Sequence, residues 1–196
     1  MTALAQPKFG AEDYLAWEAN QPVKHEYLAG EVFAMAGGSD AHVTVSLNLA
    51  SALRSHLRGT PCRTYIADMK LRVAAADAYF YPDVFVTCSA ADAQQPLAKA
   101  EPVLVAEVLS PSTEAFDRGG KFAAYRSLPS LQEYVLIDPD RRSVEIYRRD
   151  ASGHWVLYPY SGDEVLELGS VHLSLPLAQV FEDVAPAVGA GASSDA

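Results

Sequence analysis

The sequence predicts a single domain of the α/β (or α+β) class. Three observations point there: a long segment of helical apolar period after Gly37-Gly38, a nearly continuous apolar run from Val103 to Leu109, and paired strand patterns near both ends. With 196 residues the chain can bury a hydrophobic core in one domain, and no internal repeat or linker divides it. Residues 1–186 are therefore read as the domain and 187–196, small, polar and glycine-containing, as a flexible tail.

Taken in order, Ala11 to Ala19 reads as a short helix with Tyr14, Leu15 and Trp17 on its apolar side. Lys24 to Leu28 and Glu31 to Ala36 read as two strands joined by a turn at Ala29-Gly30. Ser39 or Asp40 can cap a helix reaching about Leu57, where Val43, Leu47, Ala50 and Leu57 follow the helical period with Leu53 beside them. Gly59-Thr60-Pro61 stops it. Strands follow at about Arg63 to Ala67, Met69 to Val73, Tyr79 to Thr87 and Val103 to Leu109, the last apolar enough to be buried on both faces. A helix from Ser112 or Asp117 to Leu128 and a strand from Tyr134 to Ile137 come next. Ser143 to Arg149 and Trp155 to Tyr160 form a trailing β-hairpin, His172 falls in a further strand, and Leu177 to Phe181 closes the pattern.

Composition narrows the function classes. No apolar run approaches the roughly 20 residues that span a bilayer, and Met1 to Gly10 lacks the pattern of a secretory signal. Cys62 and Cys88 show no metal-binding or framework spacing and are read as reduced thiols, so the expected compartment is cytoplasmic. The formal net charge of -10 opposes casual binding to phosphate backbones, which favour basic surfaces. Arg141, Arg142, Arg148 and Arg149 make one local basic cluster, which equally suits a solvated hairpin face. HExxH, GxSxG and Gly-rich phosphate-loop motifs are absent, leaving serine-hydrolase, zinc-protease and nucleotide-hydrolase readings without support.

Two acids stand where an ionised carboxylate is costly unless paired or bound to a metal. Asp83 lies within Tyr79-Phe80-Tyr81-Pro82-Asp83-Val84-Phe85-Val86, and Glu107 within Val103-Leu104-Val105-Ala106-Glu107-Val108-Leu109. Pro82 removes a backbone donor and suggests a bulge or strand edge just before Asp83. In neighbouring strands the two carboxylates could converge on a hard divalent cation; the alternative is that each caps a loop or pairs with a buried Arg or Lys. Thr113, Asp117, Lys121 and Tyr125 recur every four residues along one helical face, which could carry the Lys121 ammonium to the sheet acids. An ordinary Asp117–Lys121 surface pair is the competing reading. Gly119 and Gly120, poor helix formers, imply close approach of a backbone or substrate. His42, at the start of the long helix, and His25, beside Glu26, are further candidates for a ligand or base.

These residues resemble the Uma family of proposed restriction endonucleases, a branch of the PD-(D/E)xK nuclease superfamily. The resemblance rests on Tyr81-Pro82-Asp83-Val84 with Glu107-Val108-Leu109-Ser110-Pro111-Ser112-Thr113, on Asp117-Arg118-Gly119-Gly120-Lys121, on Glu133-Tyr134-Val135-Leu136-Ile137-Asp138, and on His25-Glu26-Tyr27-Leu28-Ala29-Gly30-Glu31. It implies a restriction-endonuclease-like mixed sheet flanked by helices, with an acidic metal site on one side. It also implies that Asp83 and Glu107 ligate Mg2+ or Mn2+, with Glu26 or Glu31 as an additional acid and His42, Thr113 and Asp117 in support. The superfamily's ExK lysine position is filled here by Leu109, and the resemblance assigns its role to Lys121 on the next helix. The implied activity is hydrolysis of DNA phosphodiester bonds by a cytoplasmic enzyme, with a homodimer suited to cutting both strands. The alternative is a catalytically silent nucleic-acid-binding or assembly module that keeps the nuclease fold.

Overall fold

The computed structural model describes residues 10–185, so the tail at 187–196 and most of the segment read for a signal lie outside the described residues. Helix α1 (Ala11–Glu18) leads into the hairpin β1 (His25–Leu28) and β2 (Glu31–Ala34). Next comes α2 (Asp40–His56), whose first turn is closed by Ser39 accepting a hydrogen bond from the His42 amide at 3.2 Å. Asp40 in that turn and Arg54 and His56 in the last complement the helix dipole. Strands β3 (Arg63–Ile66), β4 (Lys70–Val73), β5 (Ala78–Phe80) and β6 (Val84–Thr87) follow, then α3 (Ala90–Ala93), β7 (Ala98–Lys99) and β8 (Pro102–Val108). One irregular helix consists of α4 (Glu114–Phe116), a π-turn (Asp117–Lys121) and α5 (Phe122–Tyr125). The remainder is β9 (Glu133–Asp138), β10 (Ser143–Arg149), β11 (Trp155–Tyr160), β12 (Val165–Leu168), β13 (Leu173–Pro176) and α6 (Leu177–Val180).

The main sheet has six strands in the order β11-β10-β9-β8-β6-β3, and β8 and β9 are its one parallel pair. That pair is joined through the irregular helix, as a parallel crossover requires. On one face Leu104, Ala106 and Val108 pack with Val45, Leu49 and Leu53 of α2. On the other, Phe85 and Val105 pack with Ala124, Tyr125 and Leu128. Covering on both faces explains why this stretch is apolar throughout, and why Glu107 on the helix side needs partners. A five-stranded sheet, β2-β1-β5-β4-β7, packs beside it through Leu71, Phe80 and Tyr125, and β12-β13 form a third, small sheet.

Several expectations change. The predicted strand Tyr79 to Thr87 is two strands in two sheets, with Tyr81-Pro82-Asp83 crossing between them. Pro82 marks the break, consistent with its missing donor. Of the apolar residues expected along α2 and its C-cap, Ala50, Leu53 and Leu57 are buried, joined by Val45 and Leu49, whereas Val43 and Leu47 are 56% and 61% exposed. Both pairs have helical period, and only the position of the sheet decides between them. The helix after β8 is interrupted by its π-turn, yet Thr113, Asp117 and Lys121 still face one cleft and Tyr125 joins Lys121 at Glu107, as the four-residue spacing predicts. Strand β7, helix α3 and the β12-β13 hairpin were not anticipated, and His172 sits in a left-handed turn at φ 54° rather than in a strand. Cys62 and Cys88 are joined in a disulfide rather than reduced. Arg63 pairs with Thr87 across β3 and β6, so the next residues outward, Cys62 and Cys88, face each other; sequence separation gives no hint of that register.

Candidate active site

Four elements deliver charged groups to one cleft. The β1 strand carries Glu26, the crossover between β5 and β6 carries Asp83, β8 carries Glu107, and the π-turn carries Asp117 and Lys121. The cleft encloses about 450 Å³ and is also lined by Gly37, Gly38, Ser39 and His42 before and within α2, and by Ser110, Ser112 and Thr113 after β8. Asp83 reaches Glu107's strand because β6 and β8 are neighbours, with Val84 opposite Ala106.

Lys121 is the hub. Its Nζ lies 3.1 Å from Oε1 of Glu26, 3.1 Å from Oε1 of Glu107 and 3.3 Å from Oδ1 of Asp117. The Lys121 side chain is only 5% exposed, and those of Glu26, Glu107 and Asp117 are 3% exposed or less. Glu107 Oε1 also accepts from the Tyr125 hydroxyl at 2.9 Å, and Glu26 Oε1 from the Tyr81 amide at 3.1 Å. Glu26 Oε2 is buried without a hydrogen-bond partner, and Asp117 Oδ1 has only the ionic contact with Lys121. Asp83 is held at both oxygens: His42 Nε2 stands 2.9 Å from Oδ1, and the Val108 amide donates to Oδ2 at 2.8 Å.

Charge balance governs these groups. Burial alone would lower the Lys121 pKa, but Glu107, Glu26 and Asp117 around it hold it well above the ordinary lysine value, so the ammonium keeps its proton. Burial pushes Glu107 well above the carboxylate range; Lys121 opposes this, and the charges of Asp117, Asp83 and Glu26 add to it. Glu26 is raised for the same leading reason, again against Lys121. The hydrogen bond to Asp83 raises His42 in spite of its partial burial. Four carboxylates thus face one lysine and one histidine, an excess of negative charge that a proton or a cation can relieve.

Glycines fit this geometry. A Cβ on Gly120 would sit 2.5 Å from the Phe116 ring, and one on Gly38 2.9 Å from the His42 ring. The close approach inferred for Gly120 is therefore that of a side chain in its own helix. Behind Glu26, His25 donates its amide to Glu18 at 2.9 Å, and the Tyr81 hydroxyl donates to Glu18 at 3.0 Å. This network fixes the segment leading to Asp83, and it uses His25 structurally.

Asp83, Glu107, Lys121, Glu26, His42, Thr113 and Asp117 are all at the cleft. Glu31 is not: it is exposed at the hairpin turn opposite Leu28, while Glu26 lies mid-strand and points inward. Sequence reading did not assign Tyr125, Tyr81 or the Ser110 hydroxyl to the site, although the four-residue spacing had already set Tyr125 beside Lys121. Among the described residues no three His, Cys, Asp or Glu side chains form a ready-made metal cage; the acids are spread around Lys121.

The sequence model of the Uma2 family, described as "Putative restriction endonuclease", matches residues 11–178. The chain belongs to the Uma2 family. Two Synechocystis relatives are similar along most of their length: uncharacterized protein slr1290 is 39% identical over 91% of this chain and 94% of its own, and sll1609 is 36% identical over 78% and 88%. The fold resembles that of a crystal structure from Anabaena variabilis titled a putative nuclease belonging to DUF820, with a TM-score of 0.73 and 17% identity over 88% of this chain and 97% of that one. The Uma2 chain thus has a nuclease-like fold, a mixed α+β arrangement with helices on its sheets. Among the described residues, no helix is long and apolar enough to cross a membrane.

Proposed function

We propose that this Uma2 protein is a metal-dependent endonuclease hydrolysing DNA phosphodiester bonds at the cleft between α2 and the π-turn. The observation that carries the reading is the position of Lys121, one helix beyond the strand of Glu107, with its ammonium 3.1 Å from that carboxylate and in the same cleft as Asp83.

The donor set suits a hard divalent cation. Asp83 and Glu107, with Glu26 as a third acid, offer carboxylate oxygens of the kind Mg2+ and Mn2+ prefer. Glu26 Oε2 is unpartnered and the cluster carries excess negative charge, both of which a cation would satisfy. Asp83 and Glu107 would hold Mg2+ (or Mn2+), which when bound polarises a phosphoryl oxygen and lowers the pKa of a bound water. Each Asp83 oxygen accepts one hydrogen bond and keeps a lone pair free, so His42 and the Val108 amide orient the carboxylate without consuming it. Lys121, protonated throughout, holds the attacking water or neutralises charge on the phosphoryl group. Tyr125 fixes the Glu107 carboxylate, and the Ser110 and Thr113 hydroxyls, 3.0 Å apart, are available to a phosphate oxygen.

A second reading has its own support. The Lys121 ammonium is already engaged by three carboxylates, which equally suits a closed, silent cluster in a binding module. Incubation of supercoiled plasmid with Mg2+ or Mn2+ separates the two. The nuclease reading expects nicked or linear product from wild type, with a loss of at least 100-fold in Asp83→Ala, Glu107→Ala and Lys121→Ala. Undiminished cleavage in all three variants overturns the site assignment, and a wild type that binds calorimetrically neither cation and cuts nothing favours the silent module.

A further inference from the structure

The Arg141 to Arg149 run suggests a basic face, but its guanidinium groups are occupied. Arg148 binds Glu133, Arg149 caps the carbonyls of Arg126, Leu128 and Pro129, Arg142 caps those of Phe181 and Val184, and Arg141 faces Asp138 and Glu114. The unclaimed basic charge lies elsewhere. Arg54, Arg58 and Arg63 surround one hollow of about 400 Å³ where the end of α2 meets the start of β3, and among the described residues no acid lines it. All three are exposed, and among the described residues none of their side chains has a hydrogen-bond or ion-pair partner. In a chain of net charge -10 with 25 acids against 15 Lys and Arg, three unpaired arginines around one acid-free hollow call for an anionic partner.

The hollow adjoins a second one of about 400 Å³, which shares Arg54, Thr64 and Tyr65 and runs on past Ser51 and Leu47 beside β3, the edge strand of the main sheet. Asp68, paired with Lys24, is the one acid along it. Val43, Leu47, Ser51, Arg54 and Arg58 recur at helical spacing, so the exposed stripe of α2 leads from the basic hollow toward His42 at the cleft. At a rise of roughly 1.5 Å per residue, Arg54 stands about 18 Å along the axis from His42. With phosphates advancing about 3.4 Å per step along one strand, that is about five nucleotides.

We propose that the face of α2 and β3 carrying Arg54, Arg58 and Arg63 is the track for the phosphate backbone of a nucleic-acid duplex, engaged about five nucleotides from the phosphate held in the cleft. This rests on the nuclease reading and adds to it where the flanking substrate is gripped. The partner is identified by charge: a polyanion with regular spacing fits separated, unpaired guanidinium groups better than an apolar protein surface does.

The test is fluorescence anisotropy with 20-base-pair DNA and RNA duplexes in Ca2+ across a salt series, using wild type, Arg54→Ala/Arg58→Ala/Arg63→Ala, Arg72→Ala as an exposed-arginine control, and Asp83→Ala/Glu107→Ala. The slope of log K against log salt is expected to flatten by about 2–3 in the triple variant, and by no more than about 1 in the control. A duplex with only three base pairs beyond the cleft position should bind wild type and triple variant alike. Binding of either duplex through the arginines sustains the track and shows which backbone is used. An unchanged slope in the triple variant, or a wild type that binds neither duplex at low salt, overturns it. So does an unchanged slope accompanied by loss of a wild-type dimer in light scattering, which would make the face a protein interface. Plasmid cleavage by the triple variant at low salt, with weakened binding, separates failure of the track from failure of the nuclease reading.

Discussion

Replacing Lys121 by Met tests the charge logic of the cleft directly. Methionine keeps the unbranched stem and much of the packing, but it leaves Glu26, Glu107 and Asp117 buried together without their shared cation. Breaking a buried ion pair by removing one partner costs about 3–5 kcal/mol. The cost depends on pH in a defined direction. Glu26 and Glu107 are held above their ordinary value of 4.5 by burial, and Lys121 is the main influence pulling them down, so its loss raises them further. Above pH 4.5 the unfolded carboxylates ionise while the native ones retain protons, and stability falls as pH rises, by about 1.4 kcal/mol per pH unit for each group. The variant's deficit relative to wild type should therefore be small near pH 4.5 and reach about 3–5 kcal/mol by pH ~8. Urea unfolding of both proteins at several pH values measures it. Added Mg2+ should recover part of the deficit at high pH if the acids take a cation in the native state. A deficit below about 1 kcal/mol at pH ~8, or one of equal size at every pH, would falsify this account of the cluster.

Three further outcomes are expected. His42, held up by its hydrogen bond to Asp83, should titrate above 6.5 by NMR and fall back in Asp83→Asn. Its stabilising contribution is then complete below pH 6.5 and lost as pH rises through the folded value, so a wild-type midpoint at or below 6.5 removes the argument. In the π-turn, Gly120→Ala should destabilise by about 1–3 kcal/mol because its Cβ would meet the Phe116 ring. Gly119→Ala, with nothing within 4 Å of the added carbon, should stabilise by about 0.5–1 kcal/mol; paired thermal melts decide whether the two glycines differ as stated. Glu133→Ala should cost about 2–4 kcal/mol in chemical denaturation, since it leaves the Gly169 and Ser170 amides and Arg148 without their acceptor. A change below about 0.5 kcal/mol would mean the loop before β13 rehydrates freely.

The acids were legible because their chemistry conflicts with their surroundings. An ionisable group within an apolar strand is visible from local sequence, and Asp83 and Glu107 stand out on that basis alone. Glu26 and Glu31 could not be told apart, because which of them points inward depends on the register of β1 against β5, which pairs Tyr27 with Tyr79. The same limit hid the Cys62–Cys88 disulfide and the choice of Val45 and Leu49 over Val43 and Leu47 as the inward residues of α2: each is settled by a partner distant in sequence. The break at Pro82 was legible as a missing donor, but not as a passage between two sheets.

Basic charge shows the reverse of the acids. Arginines adjacent in sequence, from Arg141 to Arg149, make a local basic cluster and are bound to carboxylates and carbonyl groups that β9, the turn after α5 and the segment after α6 bring to them. Arginines separated in sequence, at 54, 58 and 63, come together only because α2 ends where β3 begins. Clustering along the chain says little about free charge, since neighbours on a strand alternate faces and meet different partners. A buried acid announces itself by the cost of its burial, whereas an exposed arginine carries no such cost. Whether it is free to meet a phosphate is decided by which groups the fold has already placed against it, and among the described residues none pairs with Arg54, Arg58 or Arg63.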